Sequence, residues 1–118
     1  SLREHVPEEP ASLFIRVDGQ MVKVAVDDIL YIEGQKDYVS VHCASGRTLM
    51  SLVSLKKLEE KLPAERFFRV QRSYIVALDK VTAIEKGRIV FPDGRIAVSE
   101  QVKNEFYKAL SQKNVIFV

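Results

Sequence analysis

The sequence predicts a mainly β domain carrying two short α-helices. Runs of β-branched and aromatic residues recur along the chain, and several alternate with polar ones as half-buried strands do. Tight-turn pairs, Asp18-Gly19, Ser45-Gly46 and Asp93-Gly94, separate many of them. Only two stretches have helical spacing. At 118 residues the chain suits one domain with its own core.

Residues 1–12 read as a linker, since Pro7 and Pro10 oppose regular structure and Glu4, Glu8 and Glu9 keep it solvated. Leu13–Val17 reads as a strand. Asp18-Gly19 turns it back, because Gly accepts the positive φ of a type I′ hairpin turn. Met21–Val26 alternates as the return strand. Asp27-Asp28 caps a single helical turn or forms a bend. Leu30–Glu33 is a third strand and Tyr38–Cys43 a fourth, joined by the polar loop Gly34-Gln35-Lys36-Asp37. Arg47–Leu52 is a fifth.

Ser54–Leu62 is the clearest helix. Leu55, Leu58 and Leu62 share a face, Ser54 caps the start, and Pro63 stops the end. Its charge run reads as a solvated face. Arg66–Tyr74 follows, with its alternation broken at Arg72-Ser73, and then Ile75–Leu78. Val81–Ile84 and Arg88–Phe91 read as strands joined at Glu85-Lys86-Gly87. Asp93-Gly94 turns into Ile96–Val98. From Ser99 the pattern is helical, with Val102, Phe106 and Leu110 a turn apart. The apolar tail Val115–Val118 reads by default as a fragment of the core.

Composition narrows the function. Hydrophobic residues make up 47% and charged residues 29%, ordinary for a soluble chain. The net charge is +2, with an acidic start and a mildly basic remainder. That permits nucleic-acid binding without requiring it. The single Cys43 excludes an internal disulfide framework and fits a reducing compartment. Neither a spanning segment nor a signal peptide is evident. No His, Cys and carboxylate spacing suggests a metal. His42 and Cys43 are neighbours in a strand, so they face opposite sides and cannot act as a nucleophile pair. The five glycines fall in turns or loops, without a phosphate-binding motif. The chain therefore reads as non-enzymatic, with no cofactor and no metal.

Three polar loops remain as candidate contact points for a nucleic acid. In loop one, Lys36 suits a phosphate, Gln35 suits adenine in a major groove, and Tyr38 closes the loop. Asp37 there opposes phosphate. Loop two follows a run without acids from Arg66 to Leu78, in which Arg66, Arg69 and Arg72 form a basic cluster. Arg69, Gln71 and Arg72 offer planar donors, and Ser73 suits a phosphate. Loop three holds Ser99, Glu100, Gln101 and Lys103 at a helix start, where backbone N–H groups attract phosphate. These residues also fit a β-rich module that binds protein or peptide without DNA affinity. Salt separates the two, because phosphate-driven binding weakens steeply as salt rises.

The block Phe67-Phe68-Arg69-Val70-Gln71-Arg72-Ser73, after a helix ending in Leu62-Pro63, resembles the LytTR family of DNA-binding domains. Ile29-Leu30-Tyr31-Ile32-Glu33 is similar to the family's first signature strand, with Asp37-Tyr38-Val39 after it. Ser54–Leu62 matches its helix, and Phe91–Ser99 its closing hairpin. The likeness runs from about Leu13 to Leu110. It implies an elongated sandwich of small β-sheets over residues 13–118 that contacts DNA through loops, with all three loops touching it. It further implies an N-terminal receiver domain phosphorylated by a sensor histidine kinase, dimeric binding to paired direct repeats of double-stranded DNA, and a cytoplasmic transcription regulator. The chain departs from the family twice. Gln71 stands where His is usual, and Glu100 where a basic residue is common.

Overall fold

Alternation along the first two strands turns one face inward. β1 (Ser12–Val17) and β2 (Gln20–Ala25) pair antiparallel with Ile15 opposite Val22. Asp18 and Gly19 both take positive φ, 52° and 79°, as the two-residue turn requires. Ile15 and Val24 are buried, while Phe14 and Met21 look outward. The computed structural model describes residues 11–118. The expected linker reaches into β1 at Ser12; its residues 1–10 lie outside the described residues.

The next five strands form one antiparallel sheet. β3 (Ile29–Gly34), β4 (Val39–Cys43), β5 (Thr48–Ser51), β6 (Phe67–Gln71) and β7 (Tyr74–Ala77) lie in the order β5-β4-β3-β7-β6. A smaller sheet of β8 (Ile84–Glu85), β9 (Arg88–Phe91) and β10 (Gly94–Ala97) has β9 at its centre. Two helices, α1 (Leu55–Lys61) and α2 (Lys103–Ser111), complete the fold.

The central sheet is covered on both faces, so its strands carry apolar residues in both phases. On one face Ile32, Val41, Cys43 and Ile75 pack with the β1–β2 hairpin and with Leu55, Leu58 and Leu62. On the other, Tyr31, Val70 and Val76 pack with Ile89, Phe91 and Ile96 and with Phe106 and Leu110 of α2. His42 and Cys43 do face opposite sides: Cys43 joins the first core, and His42 stacks on Tyr31 with ring centroids 4.2 Å apart. Tyr31 donates to Asp93 at 3.1 Å, tying the β9–β10 turn to the central sheet. Burial, then Asp93, push its phenol above the ordinary range.

Some expectations are corrected. Asp27 and Asp28 cap nothing: the 3-10 turn Val26–Asp28 begins after Ala25 without a side-chain cap. Asp27 pairs with Arg66, and Asp28 accepts from the Ser45 hydroxyl at 2.8 Å. Those longer-range partners outcompete a local cap. Tyr38 precedes β4 rather than opening it. Val81–Ala83 is not strand, because the Val81 amide bonds to Leu78 in a 3-10 turn instead of to β9. Gly34 closes β3 and Gly94 opens β10, so not every glycine lies outside the strands. Val102 belongs to a 3-10 turn, Glu100–Val102, and is only half-buried. The tail does not join the core. Ile116 is 88% exposed, since Asn114 turns the chain at φ 63° past the face that Leu110 already closes.

Cys43 offers a direct test of this packing. Its thiol is buried, and burial, then the Asp28 carboxylate, raise its pKa above the usual thiol value. A raised pKa lowers the thiolate fraction at pH 8, and thiolate is the nucleophile. Ellman's reagent is expected to react with Cys43 slowly in buffer and rapidly in denaturant. Fast, stoichiometric reaction of the native protein would contradict this placement.

Candidate nucleic-acid interface

Three connections converge because of the strand order. β3, β4, β6 and β7 are antiparallel neighbours, so the β3–β4 loop and the β6–β7 turn leave the same end of the sheet. The Gly34 amide donates to the Ser73 carbonyl at 2.7 Å, joining loop one to loop two. Gly34 also runs against the start of α1: a Cβ there would lie 3.2 Å from Leu55 Cδ2. The close approach explains the glycine.

Loop three is joined to loop two by two further bonds. The Ser99 amide donates to the Val70 carbonyl at 2.8 Å. Gln71 Nε2 donates to the Ala97 carbonyl at 2.6 Å. Both start where β6 carries a bulge, between Arg69 and Gln71. A bulge re-aims the strand and its side chains, and here it turns Gln71 toward β10. Gln71 therefore spends its donor inside the fold.

Arg69 is committed in the same way. Its guanidinium donates to Glu59 Oε1 on α1 at 3.1 Å and to the Arg72 carbonyl at 2.6 Å. The ion pair is half-exposed and worth about 0–1 kcal/mol, but the second bond fixes the turn. Arg72 itself is exposed, and its side chain has no hydrogen-bond or ion-pair partner among the described residues. Arg66 lies at the far end of β6, bound to Asp27 and Asp79. The three arginines thus do not form one basic cluster: one braces the sheet's other end, one holds the turn, one is presented by it.

The remaining sequence-predicted residues divide similarly. Gln35 and Lys36 are exposed in loop one, whose ends close through the Gln35 amide and the Tyr38 carbonyl at 2.7 Å. Tyr38 is half-buried and lines a recess with Arg16, Thr48, Met50 and Leu52. Ser73 is half-buried, and its carbonyl is taken by Gly34. Ser99 caps the 3-10 turn, its hydroxyl accepting from the Gln101 amide at 3.3 Å. Glu100 is 88% exposed, with Lys103 Nζ 3.9 Å away. Glu59, read as part of a solvated helix face, is the partner the sequence did not reveal. It lies ten residues from Arg69 in the chain, and no local pattern links them.

An end built of three braced loops, presenting Lys36 and Arg72 while Arg69 and Gln71 are tied to neighbouring groups of the fold, suits contact with a polyanion. Comparison with known proteins identifies which one. The model of the LytTr DNA-binding domain matches residues 19–111.

The chain belongs to the LytTr DNA-binding domain family.

This membership decides for a DNA-binding domain over a protein- or peptide-binding module. The LytTr domain is 43% identical over 58 residues to the CO-responsive transcriptional regulator RcoM of Rhodospirillum rubrum, covering 49% of this chain and 24% of that protein. It is 31% identical over 72 residues to the sensory transduction protein LytT of Oceanobacillus iheyensis, covering 61% and 29%. The chain thus spans about a quarter of the length of these curated relatives. Its fold matches a solved LytTr DNA-binding domain from Bacillus cereus with a TM-score of 0.70 and 23% identity, over 86% of this chain and 97% of that one. Mostly β architecture in small sheets with two short helices is therefore the LytTr fold. Among the described residues, no helix is long and apolar enough to cross a membrane.

Proposed function

We propose that this LytTr domain reads a specific double-stranded DNA site through the joined loops and acts, without catalysis, as the effector part of a cytoplasmic two-component response regulator. The observation that carries the reading is the Arg72 turn. Arg69 and Gly34 hold its backbone, while the Arg72 guanidinium has no partner among the described residues. A guanidinium carried on a fixed backbone can pair with guanine O6 and N7. Gln35 and Ser73 supply further polar contacts, Lys36 a phosphate contact, and Ser99 and Lys103 flank the backbone at loop three. Arg69 and Gln71 act by positioning the loops, and Tyr38 by closing loop one. A receiver domain preceding residues 1–12, phosphorylation by a sensor histidine kinase, and dimeric binding to paired direct repeats complete the proposal.

Selection of bound duplexes from a random pool tests it. Enrichment of one motif supports sequence-specific reading; binding without enrichment, or no binding at low salt, overturns it. Lys36→Ala is expected to weaken all duplexes alike. It should make the log–log salt slope shallower by about 0.9, the share of one phosphate contact. An unchanged slope removes Lys36 from the contacts.

Glu100 is the acid at the third loop, and its pairing with Lys103 at 3.9 Å contributes little. Glu100→Arg replaces a charge that repels phosphate with one that attracts it. The variant is expected to bind scrambled duplex more tightly, with a steeper salt slope. If Glu100 instead accepts from a cytosine N4, repeated selection with the variant will lose preference at one base pair. Identical salt titrations for parent and variant would place loop three away from DNA.

A further inference from the structure

A fourth connection reaches the same end of the molecule. The β8–β9 turn comes up against loop three, where its Gly87 carbonyl accepts from the Val98 amide at 3.1 Å. Arg88 stands opposite Ala97 in the sheet, and the Ala97 carbonyl is the group that Gln71 of loop two grips. The turn is thereby braced as firmly as the other three.

The side chains it presents are cationic and uncommitted. Lys86 takes φ 52° at the tip of the turn and is exposed. Arg88 is exposed at the start of β9, on the side away from the buried Ile89 and Phe91. Neither side chain has a hydrogen-bond or ion-pair partner among the described residues. With Glu85 and Arg95 they line a shallow recess of about 280 Å³. The one acid in it, Glu85, is already held by Arg95 Nε at 2.9 Å. A recess so lined attracts an anion, and it lies beside the loop where Glu100 works against one.

We propose that the Lys86–Arg88 recess is a fourth contact of this domain with DNA, seating a backbone phosphate of the duplex next to loop three. The proposal rests on the reading above that the three loops face DNA. Phosphate contacts set register and affinity without reading sequence, so this recess supplies the attraction that Glu100 withholds.

The test is a salt titration of binding to a duplex selected with the parent domain. The double variant Lys86→Asn, Arg88→Gln removes both charges, and Asn is well tolerated at the positive φ of the turn. A control double variant, Lys23→Gln and Lys108→Gln, removes two charges from the hairpin face and from the second half of α2. Circular dichroism confirms the fold of each. The expected result is a recess variant weakened alike on matched and scrambled duplexes, with a log–log slope shallower by about 0.9, the share of one phosphate contact. The control should keep the parent slope. A recess variant that follows the parent, or a control that weakens equally, overturns the proposal while leaving the three-loop reading in place. A parent that binds no duplex at low salt overturns both.

Discussion

Arg72→Ala is expected to weaken binding to a selected duplex by about 1–3 kcal/mol, roughly fivefold to 150-fold, and to relax preference at one base pair. The size follows from how the residue is held. The side chain has no partner among the described residues, so the free protein loses nothing when it is removed, and thermal stability should not move. Its turn is fixed by Arg69 from one side and by Gly34 from the other, so the backbone that carries the guanidinium is set before DNA arrives. Competition binding to matched and single-substituted duplexes checks it. A variant that binds the matched site as tightly as the parent would remove Arg72 as a reader. Arg69→Ala makes a useful contrast, because it loosens the turn without removing the reader and should lower affinity less.

Phe106→Ala is expected to have the largest effect on stability, a loss of about 3–5 kcal/mol. Phe106 is fully buried and meets Phe68 edge-on at 5.6 Å and Tyr107 at 5.5 Å. Its neighbours are apolar, so the cavity offers water no hydrogen-bond partners. Against a typical domain stability of about 5–15 kcal/mol, that loss leaves the fold marginal. The consequence reaches the DNA end, because α2 continues directly from the turn of loop three. Urea denaturation of parent and variant measures the change. A loss below about 1 kcal/mol would mean that α2 does not depend on this anchor.

Much of the fold was legible because it depends on local chemistry. Asp18-Gly19 and Asp93-Gly94 mark turns through the φ they permit, and the hairpins form there. Ser54 and Pro63 bound α1 by a cap and a missing donor, and the helix runs between them. Gln35, Lys36 and Arg72 were recognisable as candidate contacts by residue type in polar loops, and they are exposed at the joined end. Val81–Ala83 misled because β-branched residues suit a strand, while the 3-10 turn before them took the first amide.

Sequence by itself determined most of the strands, both helices and the kinship with LytTr domains. These are properties of residues close together in the chain, where sterics and periodicity act. Only the tertiary structure decided which polar side chains remain free to meet DNA. Arg69, Gln71 and Arg72 look equivalent along β6. Yet a bulge turns Gln71 onto Ala97, a helix ten residues upstream supplies Glu59 to Arg69, and the Arg72 side chain has no partner among the described residues. The same strand order carries Lys86 and Arg88 beside loop three. Such pairings join residues distant in sequence, and they are set by which strands lie side by side rather than by any preference of the residues themselves.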